Sequence, residues 1–279
     1  MCGLIKEQFR LNNFTFRHDE PYRFVTPEWK KIPQIVFLMW RVCWVIWHVV
    51  WLVLSIDDEG NEKWLIYLTN ISYLMLVVQS VVYAIVVIVH TSKGTLHPKN
   101  FETKTPWYLQ LNWFLTTLSF DTAVVVTILY WTLVYTGRLG PLSMVTHAIN
   151  SVYVISDIII YAIPVRIFHV VYVALYALLY AIFSVIYYVC KGTNTKSLPY
   201  IYKALDWSNT LPTLGLVAAV IFVAIPLIHL FQFALYTLRT YVHGRCEAER
   251  SVAPVSIKEN PDPAHTEIEV TTETEMAVQ

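Results

Sequence analysis

Apolar residues run in six long blocks, at about 35–54, 64–90, 111–136, 144–163, 167–190 and 212–238, separated by short polar segments. Each block is near or above the roughly 20 residues a helix needs to cross about 30 Å of hydrocarbon at 1.5 Å per residue. The blocks lack the strict alternation of barrel strands. A helix also satisfies its own backbone in lipid, so the pattern predicts an all-α, six-transmembrane-helix bundle. Only Pro164, Val165 and Arg166 divide the fourth block from the fifth, which predicts a tight turn at the membrane surface. Three regions follow: a polar segment over 1–34, a membrane domain over 35–241 and a tail over 242–279. The tail's many Pro, Glu and Thr residues and lack of aromatics predict disorder.

Lysines and arginines fall unevenly about these blocks. Fourteen lie on the side of the termini and five on the other: Lys63, Arg138, Lys191, Lys196 and Lys203. Arg41 lies inside the first block. By the positive-inside rule both termini are expected in the cytoplasm. An odd number of helices would destroy the asymmetry.

Composition narrows the functional classes. The 279 residues are 56% hydrophobic and 14% charged, against about 45–50% and 25% for soluble domains. Twenty basic and twenty acidic residues balance, so nucleic acid is not an expected partner; the lipid bilayer is. Four cysteines, at 2, 43, 190 and 246, are too scattered for a disulfide framework or a zinc site, and no cofactor or metal is expected. The charged first thirty residues do not resemble a cleaved signal peptide. Hydrolase, P-loop and metalloprotease motifs are absent.

Polar residues inside the blocks carry the remaining signal, because they are costly in lipid and mark packing contacts or sites. Counting 1.5 Å per residue from the face opposite the termini, Thr69 lies about 7–8 Å deep, His147 about 5 Å and His48 about 9 Å. These three are candidates for a shallow chamber, with Thr69 a nucleophile once a neutral His147 takes its proton. The alternative is that the hydroxyl bonds its own helix and the histidine joins helices. Below His147, Asn150, Ser151 and Asp157 share one helical face. Asp157 lies at the depth of Arg41 and His169, so an Asp157–Arg41 pair is expected, with Arg166 and His169 close by. Depth assigns no cation to Asp121. Pro226, His229 and Gln232 are read as a kink, and Trp40, Trp44, Trp47 and Trp51 as a lipid-facing or packing stripe.

The stretch containing His147, Asn150, Ser151 and Asp157, then Pro164, Arg166, His169 and Tyr172, resembles the rolling stone family of invertebrate membrane proteins. Asp206–Trp207 before the last block and Trp40–Arg41 in the first match the same pattern, and the likeness spans about residues 9–240. It implies a multi-pass membrane protein associated with myoblast fusion during muscle formation. The plasma membrane is expected rather than the endoplasmic reticulum, and the short loops opposite the termini, about 55–63, 137–143 and 191–211, favour lateral membrane-protein partners over a grip on another cell. More distantly, Thr69 in the second block and His147 in the fourth are similar to the Thr and His of the androgen-induced and androgen-dependent membrane hydrolases. That likeness implies a fatty-acid ester substrate.

Overall fold

The computed structural model describes residues 8–59, 62–97, 99, 101, 104–137 and 140–252. Six helices long and apolar enough to span a membrane are present, and no strand occurs among the described residues. They are α1 (Gln34–Glu59), α2 (Leu68–Ser92), α3 (Trp107–Val134), α4 (Pro141–Ile160), α5 (Ile167–Val189) and α6 (Trp207–Ala248). Each coincides with one apolar block. The expected turn between the fourth and fifth blocks is an extended stretch from Tyr161 to Arg166, where Trp113 Nε1 donates to the Pro164 carbonyl at 2.9 Å.

Two compact units divide the chain. The first, Met1–His243, holds the bundle; the second, Gly244–Gln279, is helical as far as Val252 and lies beyond that outside the described residues, as does most of the expected disordered tail. Within the bundle, α2, α3 and α4 are the inner helices, around Tyr73, Tyr83, Trp113, Phe120, Tyr153 and Tyr161. The outer faces of α1, α5 and α6 expose Ile46, Val53, Leu179, Ile186, Leu227 and Leu238. A surface that apolar suits lipid and would be a large patch in water.

The polar segment before α1 packs firmly. Its Phe14 ring stacks on Phe168 at 4.3 Å, and Phe16 lies against Trp113, His169 and Tyr172. Arg166 donates to the carbonyls of Thr15 and Arg17, both at 2.7 Å, and sits over the Trp113 ring. Buried Glu28 pairs with Arg23 at 2.9 Å and faces Arg239 at 3.8 Å. Arg239 also donates to the carbonyl of Ile158, at the end of α4. Helix ends leave carbonyls without intrahelical partners, and a guanidinium can answer several of them at once.

His18 makes this docking sensitive to acid. Its Nδ1 accepts from the Glu20 amide at 2.9 Å, so the ring is held neutral. Burial, with Arg23 and Arg166 adding to it against the weaker opposing pull of Glu20 and Asp19, lowers its pKa from 6.5 to about 4. The unfolded segment takes up a proton that the packed segment resists. The stabilisation is therefore complete above about pH 6.5 and declines as pH falls toward 4. Amide protection factors over residues 8–33, which correct for the slower intrinsic exchange in acid, are expected to fall between pH 7 and 4.5, and His18→Gln to flatten that dependence; equal protection at both pH values in the unaltered chain would refute it.

Candidate functional site

A cavity of about 720 Å³ opens among the ends of the helices on the face away from the N-terminal segment. Thr69 and Asn70 of the first turn of α2 line it, together with Tyr130 and Leu133 of α3, Thr146 and His147 of α4, Ala177 and Tyr180 of α5, and Val220 and Ile221 of α6. Residues from 194 to 205 form the rest of its wall. Three of these helices change register where they meet it: Tyr130–Val134, Val145–Ile149 and Val220–Ala224 are π-helical turns. Such turns widen a helix by one residue and recur at functional sites. Two of them are tied together, since Trp131 Nε1 donates to the His147 carbonyl at 2.9 Å.

Thr69 and His147, about eighty residues apart in sequence, therefore face one chamber. The His147 ring stacks on Tyr130 with centroids 3.6 Å apart and planes within 3°. Its Nδ1 is buried and has no hydrogen-bond partner among the described residues. Thr69 sits where α2 begins, a place where backbone N–H groups need outside acceptors. Two phenols supply them: Tyr180 accepts from the Leu68 amide at 3.2 Å, and Tyr202 from the Thr69 amide at 3.4 Å. The Thr69 side chain also interacts with the Tyr202 phenol, whose pKa burial pushes up to about 12, so that phenol keeps its proton at neutral pH. No hydrogen bond joins Thr69 to His147 among the described residues.

His48 is not part of this chamber, contrary to the depth argument. It points into the bundle, where Nδ1 meets the Tyr73 hydroxyl at 3.3 Å and the ring packs on Trp44 and Tyr153. A depth scale says nothing of the direction in which α1 turns the side chain. Asn150 and Ser151 lie just below His147 and join α4 to α3 through Thr127, whose hydroxyl meets Asn150 Oδ1 at 3.2 Å and Ser151 Oγ at 2.7 Å.

Arg41 and Asp157 do meet, fully buried. Arg41 NH1 donates to Asp157 Oδ2 at 2.7 Å and NH2 to Oδ1, while Trp40 Nε1 reaches Oδ1 at 2.9 Å. The guanidinium also lies over the rings of Phe37 and Tyr83. Trp40 and Trp44 thus face protein. Arg166 and His169, expected beside this pair, hold the N-terminal segment instead: His169 Nε2 meets the Thr15 carbonyl at 3.2 Å. Asp121, to which depth assigned no cation, has a partner in His229, whose Nδ1 is 2.7 Å from its Oδ2 and whose Nε2 donates to the Arg166 carbonyl at 2.8 Å.

Residue-by-residue reading missed Tyr130, Tyr180, Tyr202 and Thr127. Tyrosines are so frequent in this chain, 18 of 279, that none stood out. Only the tertiary arrangement selects the four residues.

No solved structure matches this chain. A curated relative, Protein rolling stone of Drosophila melanogaster, is 26% identical over 251 residues, covering 85% of this chain and 90% of the relative. The family description "Protein rolling stone" matches residues 1–252. With six membrane-spanning helices and a match over almost all of the described residues, the chain belongs to the rolling stone family.

Proposed function

We propose that the cavity is a lipid-ester site in which Thr69 is the nucleophile and His147 the general base. The observation that carries this reading is the shared chamber: a hydroxyl and an imidazole with an unengaged nitrogen line one apolar-walled space. Thr69 Oγ1 forms a bond to the ester carbonyl carbon while His147 takes the hydroxyl proton. The ester C–O bond then breaks, and the alcohol leaves with that proton. Water releases the acyl group from Thr69 by the same route in reverse. The positive end of α2 and the Tyr202 phenol lie beside Thr69, on the side where negative charge would collect. Contacts between nucleophile and base commonly tighten only when substrate fills the site.

The biological process we assign is membrane fusion in muscle-forming cells, at the plasma membrane with both termini in the cytoplasm. The described connections on the cavity face, around 62–67, 135–137 and 190–206, are short. They offer little area for gripping another cell, since stable interfaces bury about 800 Å² per partner. Action on membrane lipid, with lateral protein partners, fits this shape better than adhesion. A fluorophosphonate probe is expected to label the purified protein in lipid and to fail on Thr69→Ala and His147→Ala. Undiminished labelling of both variants would overturn the reading.

A further inference from the structure

We propose that the ligand of this cavity is a single-chain lipid with a phosphate head, held by Lys196 and Lys203 while its acyl chain lies between α3 and α6. The inference rests on the reading of the cavity as a lipid-ester site and adds the chemistry of both ends of the ligand.

The lining carries charged, reactive and apolar side chains. Lys196 and Lys203 are its charged residues, and no aspartate or glutamate belongs to it among the described residues. Neither ammonium has a hydrogen-bond or ion-pair partner among the described residues. The carboxylate nearest in sequence to Lys203, Asp206, is not part of the lining, and Ser208 and Asn209 already occupy it. Thr69 and His147 belong to the same lining, and Leu129 and Leu133 of α3 with Leu216, Val217 and Ile221 of α6 give it apolar wall. Leu133 and Val134 of this wall are exposed and apolar, as a surface that meets a hydrocarbon tail should be.

The segment that carries Lys196 is closely bonded. Gly192 lets the chain pass so close to the Tyr187 ring that a Cβ there would fall 2.4 Å from it. The Asn194 side chain accepts from the amides of Lys196 and Leu198 at 2.9 and 3.0 Å. Lys63 Nζ donates to Thr193 Oγ1 at 2.8 Å, and Tyr67 meets Thr195 at 2.9 Å. Two lysines offered as point charges suit a phosphate monoester, which carries about −1.5 to −2 near neutrality, better than a carboxylate with one charge. The cavity volume lies within the roughly 300–1,000 Å³ of single-ligand sites, which favours one acyl chain over two. Besides the phosphate monoester of its head, such a lipid has one carboxylic ester, which is the bond Thr69 would attack.

The full chain in detergent micelles, carrying a fluorescent acyl probe, tests this by displacement. Lysophosphatidate should displace the probe, and do so at least tenfold less well from the Lys196→Glu/Lys203→Glu double variant. Monoacylglycerol of the same chain length should compete more weakly than lysophosphatidate and equally in both proteins, which also shows that the double variant is folded. Four results would overturn the proposal: no effect of the lysine exchanges, monoacylglycerol competing as strongly as lysophosphatidate, a free fatty acid competing as strongly, or displacement by inorganic phosphate alone. Fluorophosphonate labelling in the same preparations separates the two claims. Head-group selectivity without Thr69 labelling leaves a phosphate-lipid site that performs no hydrolysis. Labelling without selectivity leaves the hydrolase and removes the phosphate ligand.

Discussion

Thr69→Ala is expected to abolish ester cleavage, lowering turnover at least about 10³-fold, because no other group replaces a covalent nucleophile. His147→Ala should lower it by about 10²–10⁴-fold, the usual contribution of a positioned acid–base group. The Thr69→Ala/His147→Ala double variant should be no worse than Thr69→Ala, since residues acting as one unit are strongly non-additive. Ser151→Ala provides the contrast: Ser151 lies one helical turn beyond His147 and bonds Thr127 rather than lining the cavity, so turnover should stay within about twofold. Hydrolysis of a chromogenic short-chain ester by purified protein in lipid checks all four. Wild-type turnover in Thr69→Ala would remove Thr69 from the chemistry, whatever the cavity binds.

Arg41→Met should be the most damaging single exchange for stability. It leaves the Asp157 carboxylate 0% exposed with, among the described residues, only the Trp40 indole to answer it. Removing one partner of a buried ion pair typically costs about 3–5 kcal/mol, more than the pair itself contributes, because the stranded charge keeps its desolvation penalty. At about 2–4 °C per kcal/mol for a chain of this size, the apparent midpoint of thermal unfolding should fall by roughly 6–20 °C. Asp157→Leu should cost a similar amount by stranding the guanidinium, which retains the Phe37 and Tyr83 rings. Arg41→Met/Asp157→Leu should recover most of the loss, since apolar replacement of both partners is often nearly neutral. Tryptophan fluorescence during heating in mild detergent measures these shifts. Losses that simply add in the double variant would show that the two residues act separately.

How much of the site could be read in advance differs from residue to residue. Thr69, His147, Arg41 and Asp157 were singled out because an ionisable or hydroxyl group inside an apolar block is expensive and has few explanations. Depth predicted the Arg41–Asp157 pair, which forms, since helices crossing one slab share a common ruler of 1.5 Å per residue, and Thr69 and His147 line one cavity without a bond between them. His48 has the same depth as Thr69 and still faces Tyr73. Rotation about a helix axis is set by packing against neighbours, which a depth scale does not contain. His229 escaped pairing with Asp121 because Pro226 drew attention to a kink, while the partner lies 108 residues away. The docking of the N-terminal segment was equally hidden: Arg166 and His169 looked like partners for Asp157, yet their acceptors are backbone carbonyls, which every residue has and no sequence pattern marks.

The sequence alone determined the number, type and approximate placement of the helices, because a hydrocarbon slab imposes a minimum length and a self-satisfied backbone on whatever crosses it. It also limited the candidate chemistry to a handful of buried polar residues. The tertiary structure decided which of those residues share a space. Three π-helical turns, the phenols at the start of α2 and the lysine-bearing segment from 194 to 205 make the cavity. Each depends on contacts between residues far apart in the chain, where side-chain direction and packing, rather than hydropathy, set the outcome.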